Sequence, residues 1–269
     1  MTEASGMQVA ALLQSLGDKE RVEQLKRDAW RVYIGRFNGT TAKLDFYKVG
    51  QKVFNFFIRS VFAEQTTALD GAFATGVSWL ELAETCPSLK IIHGFDLMPE
   101  AIDEAWPIAK QLEMKDVRVR LTCHNVIEEW PYDDNSIDLG FLRLIICYLE
   151  GDAWKLALDQ LLRVLAPGGW GYISFADAHF SFREWAGTGH VAKVYLDKEP
   201  KEVTQKFELD GLPCLMIMQE LADAGLITFP DQEEVAAYIR QLGFMGIWKC
   251  EYHPNIWAFW FQKPLSITG

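Results

Sequence analysis

Two acidic residues each close an apolar run, and between them lies a turn built for contact with a small molecule. Asp70 ends "TTALD", and Asp96 ends "KIIHGFD" about twenty residues beyond Gly76, where an acid typically accepts hydrogen bonds from ribose hydroxyls. The stretch "DGAFATG", residues 70–76, fits the spacing D-x-G-x-G-x-G, with Ala72 and Ala74 in the first two glycine slots and Gly76 in the last. Such a turn brings backbone N–H groups at a helix start close to a ligand. Alanine adds only one methyl, yet costs about 1–2 kcal/mol wherever the slot demands a positive φ. Asp96 has a second reading as the cap of the helix that begins at Pro99, a residue suited to a first helical turn.

Those residues need a scaffold, and the pattern around them supplies one. Between Thr66 and Asp177 short strand-like runs alternate with helical ones. "TTALD" precedes "TGVSWLELAETC"; "KIIHGFD" precedes "PEAIDEAWPIAKQLEM"; "VRVRLTCHN" leads into a loop. "IDLGFLRLII" precedes "GDAWKLALDQLLRVLA", and "GGWGYISFAD" closes the series. Repetition of strand and helix predicts a parallel sheet covered on both faces, with ligands at the carboxyl ends of its strands. In "RVLAPGGW", Pro167 is read as the stop of the preceding helix and the two glycines as the reversal into the fifth strand.

Upstream, "LDFYKVGQKVFNFFIRSVFA" predicts a buried helix, preceded by two helices broken near Gly17. Downstream, residues 178–225 mix aromatics, charges and glycines and are expected to form a lid. "CLMIMQELADAGL" and "DQEEVAAYIRQLGF" read as helices stopped at glycine, and the tail as two antiparallel strands joined at "HPN". The expected organisation is a helical cap over 1–64, a core over 65–177, a lid over 178–225, and a helix with two strands over 226–269.

Composition narrows the function. The 269 residues are 49% hydrophobic and 23% charged, enough for a core without disulfides. With 26 basic against 37 acidic residues, net charge −11, no basic field attracts nucleic acid. The five cysteines, at 86, 123, 147, 214 and 250, form no zinc-ligand spacing and read as reduced core thiols. No leader pattern or membrane-length apolar run is present, so a soluble, cytoplasmic protein without metal is expected.

The ordered set "DGAFATG", "HGFD", "HNV", "SIDLGFLRLI" and "RVLAPGGW" resembles the class I S-adenosylmethionine-dependent methyltransferases, and more narrowly the fungal methyltransferase-like proteins of secondary metabolism. The resemblance covers roughly 66–177. It implies an α/β fold, a seven-stranded Rossmann-like sheet with an N-terminal helical cap and a lid after strand five. It also implies S-adenosylmethionine or its product S-adenosylhomocysteine as the cofactor. Ala72, Ala74 and Gly76 would wrap the amino-acid part, with Asp70 anchoring the turn. Asp96 would take the ribose, Leu97 and Met98 would lie beside the adenine, and Asn125, followed by Val126, would accept from the adenine amino group. Leu142 and Arg143 would face the methionine part, where Arg143 either pairs with a carboxylate or satisfies the loop. Tyr47 and Lys48, in "KLDFYK", stand where the fungal group has Gln and His in a helix that closes over the cofactor.

For the chemistry, His179 is the best-placed base, with Tyr47 a second catalytic candidate; methyl transfer itself needs mainly proximity. Phe37, Phe46, Phe180, Phe182, Trp185 and Tyr195 are expected to line a pocket for a small hydrophobic metabolite, methylated on O or N by a monomer or homodimer. Two alternatives stand beside this reading. One is a repurposed cyclase or pericyclase of the same fold that transfers no methyl, suggested by the two alanines, Phe73 and the Tyr47 and Lys48 replacements. The other is a noncatalytic regulator.

Overall fold

The computed structural model describes residues 45–61, 65–74, 76, 78–180, 222, 227–253 and 255–265. Phe37, Phe182, Trp185, Tyr195 and Cys214 lie outside them, and of Phe46 and Tyr47 only the backbone, in the first turn of a helix, is described. The chain divides into two compact units, 1–48 with 181–227 and 49–180 with 228–269; the second holds the sheet.

Seven strands form one sheet. Helix α1 (Asp45–Val61) precedes β1 (Thr67–Gly71), α2 (Ser78–Thr85), β2 (Ile91–Asp96), α3 (Pro99–Glu113), β3 (Arg118–Cys123) and β4 (Ile137–Arg143). A short 3-10 turn (Ile146–Tyr148) leads to α4 (Ala153–Val164), β5 (Leu165–Ala176), α5 (Gln232–Gln241), β6 (Met245–His253) and β7 (Ile256–Gln262). The order across the sheet is β3-β2-β1-β4-β5-β7-β6. Strands β1 to β5 run parallel, and β7 pairs antiparallel with both β5 and β6. The predicted seven-stranded Rossmann-like sheet is therefore the observed one, and the "HPN" hairpin falls between β6 and β7.

The central strands are apolar on both faces, as strands sandwiched between helices must be. Ala68, Leu69, Leu139, Phe141, Leu142, Ile173 and Phe175 are all buried. On one face, α1 lays Phe54 edge-on against Phe141 and Tyr172, 4.9 and 5.1 Å between ring centroids, while Phe57 meets Tyr172 and Trp260. Elsewhere α4 lies so close to β4 that a side chain on Gly140 would run into Leu161. The topology fixes where a ligand can sit: β1 and β4 are neighbours whose connections leave in opposite directions, toward β2 and toward β5, and this switch point opens a crevice at their carboxyl ends.

Two expectations are corrected. Helix α4 ends at Val164, three residues before Pro167, and β5 already begins at Leu165, so the proline does not stop the helix. The strand takes over because Leu165 pairs with Ile137 of β4 across a register shift, with Gly168 (φ 79) bending the chain. Of the described cysteines, Cys86 and Cys147 are buried thiols that desolvation pushes up to about 12, whereas Cys123 is exposed and Cys250 intermediate. Cys123 is exposed because it ends β3, the edge strand of the sheet.

Candidate functional site

The turn after β1 carries three left-handed residues in alternation: Ala72 at φ 55, Ala74 at φ 58 and Gly76 at φ 65. Both alanines thus hold the conformation that glycine adopts freely and that costs an L-residue about 1–2 kcal/mol. The neighbouring strand holds them there. The Ala72 amide donates to the Phe95 carbonyl at 2.8 Å, and the Ala74 amide donates to Asp96 Oδ2 at 3.0 Å. At Gly76 no methyl fits in either respect, since a Cβ would stand 2.7 Å from the ring of Trp79.

Trp79, in the first turn of α2, is the residue that sequence reasoning missed. Its ring lies under Gly76 and Gly94 and against Phe73, 4.9 Å between centroids. Its indole N–H donates to Asp70 Oδ2 at 2.8 Å. Nothing in the spacing of "SWLELAE" marks a side chain that reaches back nine positions. The tryptophan was simply an apolar position on a helix.

Asp70 thus reaches α2 through Trp79, and its second partner is Arg143, whose Nη2 lies 2.6 Å from the same carboxylate oxygen. Arg143, at the end of β4, thereby pairs with the acid near the end of β1. The guanidinium also stands over the Phe54 ring, 5.1 Å from its centroid. Asp70 Oδ1 is buried without a hydrogen-bond partner among the described residues.

Asp96 is buried and serves the backbone on both sides: Oδ2 receives Ala74 N, and Oδ1 receives Met98 N at 2.9 Å. Burial raises its carboxyl above the usual aspartate range, opposed by the amides of Met98 and Ala74 and reinforced by the charge of Asp70. It is not the N-cap of α3; Met98 holds that position, with Pro99 in the first turn as its type suggested. Leu97 is exposed and Met98 buried beside it. Asn125 follows β3, and its Oδ1 accepts the Ile127 amide at 3.3 Å, so the oxygen expected to read an adenine already closes its own turn. Val126 is buried and lends its carbonyl to the Trp130 indole.

His179 lies exposed in the turn after β5. A residue unremarked in the sequence fixes that turn: Asp177, 3% exposed, receives the His179 amide on Oδ1 and the Trp257 indole on Oδ2, at 2.9 and 2.8 Å. Asn255, from the β6–β7 hairpin, donates its side-chain amide to the His179 carbonyl. Phe180 packs on Phe229 at 5.7 Å between centroids. The structure thus brings Asp70, Ala72, Ala74, Gly76, Asp96, Leu97, Met98 and Arg143 together at the carboxyl ends of β1, β2 and β4. Among the described residues no three His, Cys, Asp or Glu converge as metal ligands, and no helix is long and apolar enough to cross a membrane.

Comparison with known proteins agrees with this fold. A family model described as a methyltransferase domain matches residues 68–169. No curated protein sequence matches the chain. Among solved structures, a SAM-dependent methyltransferase from Aquifex aeolicus is 15% identical at TM-score 0.53, covering 87% of this chain and 97% of that one. The N-methyltransferase NodS from Bradyrhizobium japonicum, in complex with S-adenosyl-L-homocysteine, is 15% identical at TM-score 0.53, covering 84% and 91%. An O-methyltransferase family protein from Burkholderia thailandensis is 14% identical at TM-score 0.54, covering 91% and 70%. The chain therefore has the Rossmann-like fold of the S-adenosylmethionine-dependent methyltransferases, and its methyltransferase-domain match begins in β1 and ends in β5.

Proposed function

We propose that this chain binds S-adenosylmethionine at the carboxyl ends of β1, β2 and β4 and transfers its methyl group to an oxygen or nitrogen of a small apolar metabolite. The observation that carries the reading is the loop of residues 72–76. Two alanines are held at positive φ at a cost of about 1–2 kcal/mol each, where an unconstrained turn would relax. Strain of this kind persists where the surroundings over-determine a functional geometry. The methyltransferase-domain match over residues 68–169 brackets that loop.

The residues present fit such a cofactor. The crevice has a loop whose backbone stays in the glycine conformation, an acid at the end of β2, and a buried acid under the turn with one oxygen unpartnered among the described residues. Ala72, Ala74 and Gly76 would hold the amino-acid part, Asp96 the ribose, and Leu97, Met98, Asn125 and Val126 the adenine. When bound, the cofactor supplies an electrophilic methyl group on a positively charged sulfur. The protein's share is then positioning, since holding an acceptor in line with that methyl provides much of the acceleration. His179, in a turn fixed by Asp177 and Asn255, is suited to take the acceptor's proton. The 17 phenylalanines, 10 tryptophans and 8 tyrosines support an apolar substrate. Similarity to both an N- and an O-methyltransferase supports either acceptor atom.

Titration calorimetry with S-adenosylmethionine and S-adenosylhomocysteine tests the reading, with Asp96→Ala as control. Binding of both ligands, weakened in the variant, is expected, followed by a gain of one methyl on an acceptor from a panel of phenols, amines and acids. A folded chain that gives no heat with either ligand would overturn it.

A further inference from the structure

We infer that the outer edge of β6 is the docking surface for a second copy of this chain, strand against antiparallel strand, about a two-fold axis at Cys250. The inference does not depend on the cofactor reading.

Strand β6 stands at one end of the sheet order, and its pairing among the described residues is with β7. An edge strand offers a row of backbone donors and acceptors to any chain that can lie along it. This edge is open on both faces: Met245 is 53% exposed and Trp248 47%, Lys249 and Glu251 are exposed, and Cys250 is half-buried. Trp248 packs on Trp170, 5.4 Å between ring centroids, and keeps the rest of its surface in solvent.

Charge and register name the occupant. When two copies of one strand pair antiparallel about an axis normal to the sheet, residues that face each other share a face, so the axis passes through a residue position. An axis at Lys249 sets that lysine against its own copy, and an axis at Glu251 does the same with a carboxylate. An axis at Trp248 leaves both charges opposite apolar residues, Ile247 and Met245. Only the axis at Cys250 sets Lys249 opposite Glu251 of the second copy, and it does so twice. Opposite charges facing across a strand pair stabilise it, and like charges oppose it. The run Trp248–Glu251 is also the part of β6 whose register with β7 is unbroken, with a shift on either side.

A lysine on an edge strand ordinarily discourages a partner. Here its complement stands two residues on, and a second copy running the other way presents that complement in register. Lys249 Nζ already donates to Gln232 and Glu233, and Glu251 Oε1 accepts the Asn255 amide. An ammonium has three N–H groups and a carboxylate two oxygens, so the new pairs extend this network. On the other face the same register brings Trp248 diagonally beside Cys250 of the second copy and covers part of the exposed indole. The two sheets then run on as one.

Sedimentation velocity on the full chain between about 1 and 100 µM tests the inference. A concentration-dependent dimer is expected, with a dissociation constant inside that range because a short strand pair buries less than a standard interface. Lys249→Glu and Glu251→Lys each set like charges opposite one another at two places and should weaken the dimer by about tenfold. The double variant, which exchanges the two residues, should return to within about threefold of the wild type. Facing cysteines at the axis lie within disulfide reach. Diamide, which oxidises a pair of thiols, should therefore link the unaltered chain as a dimer; Cys250→Ser should abolish the link and Cys123→Ser should not. That readout holds even if a charge variant fails to fold. A chain that stays monomeric throughout the range overturns the inference. So does a dimer that moves by less than about twofold in both folded charge reversals, that the exchange fails to restore, or that links without Cys250.

Discussion

At the amino ends of the strands, charged side chains cap the backbone. Asp138 Oδ2 receives the amides of Thr66 and Thr67 at 2.8 and 2.9 Å and so fixes the start of β1. Lys263 donates to the carbonyls of Leu162 and Leu165, both at 2.7 Å, and to Asn135, which closes the end of α4. Arg163 holds the loop before β4 through the carbonyls of Trp130 and Tyr132 and the carboxylate of Asp134. At the carboxyl ends the same kinds of groups face one another: an ion pair under a loop, a buried acid whose carboxyl is raised above the usual range, two alanines at positive φ, and a buried Asp70 oxygen without a partner among the described residues. Acids serve backbone amides at both ends, Asp138 at one and Asp96 and Asp177 at the other, but only the carboxyl end adds the Asp70–Arg143 pair and two alanines at positive φ.

The contrast is broken most forcefully at Gly76. Gly76→Ala adds a methyl 2.7 Å from the Trp79 ring at a φ of 65, combining overpacking with left-handed strain. A loss of about 3 kcal/mol is expected in urea unfolding. A variant as stable as the wild type would show that Trp79 is no fixed floor. At the opposite rim, Lys263→Met removes an ammonium from four oxygens and leaves the carbonyls of Leu162, Arg163 and Leu165 without that donor. About 2 kcal/mol should be lost, with ligand affinity unchanged; a loss of affinity would mean that the two rims are not independent.

The next effect is smaller and opposite in sign. Ala72→Gly and Ala74→Gly relieve the positive φ but give the unfolded chain more freedom, so each should stabilise by about 0.5–1 kcal/mol. Destabilisation by both would mean that their methyl groups pack usefully in the crevice. Measured beside Gly76→Ala, these variants ask whether exchange between the same two residue types changes sign within five residues.

The sheet was legible in the sequence because apolar runs alternate with helical periodicity from Thr66 to Asp177, and each run became a strand within a few residues of its expected place. Asp70 and Asp96 were legible because acids that end such runs must sit at the carboxyl rim. What was not legible depends on contacts distant in the chain. Arg143 meets Asp70 across 73 positions, so its partner stayed open. Ala72 and Ala74 have no local reason to adopt positive φ, and among the described residues Phe95 and Asp96 hold them there. The end of α4 was misplaced at Pro167 because strand pairing by Leu165 and capping by Lys263 arrive from elsewhere in the fold. Cys123 was misread as a core thiol because its residue type says nothing of its place on an edge strand.

Asp96 sharpens the comparison through pH. Its folded pKa lies above the ordinary aspartate value of 3.8, chiefly because burial penalises the charged carboxylate. In the window between those two pKa values the folded chain binds more protons at this site than the unfolded chain does. The site's contribution therefore becomes less favourable as pH rises through the window, and is constant above the raised pKa. The difference in unfolding free energy between the wild-type chain and Asp96→Asn should thus move in favour of the variant from low pH up to the raised pKa and then level off. Asn also forfeits one of the two backbone acceptors, so only the slope is diagnostic. A difference that moves in favour of the wild type with rising pH would mean that the amides of Ala74 and Met98 outweigh burial, and that the crevice offers a ligand a full second negative charge.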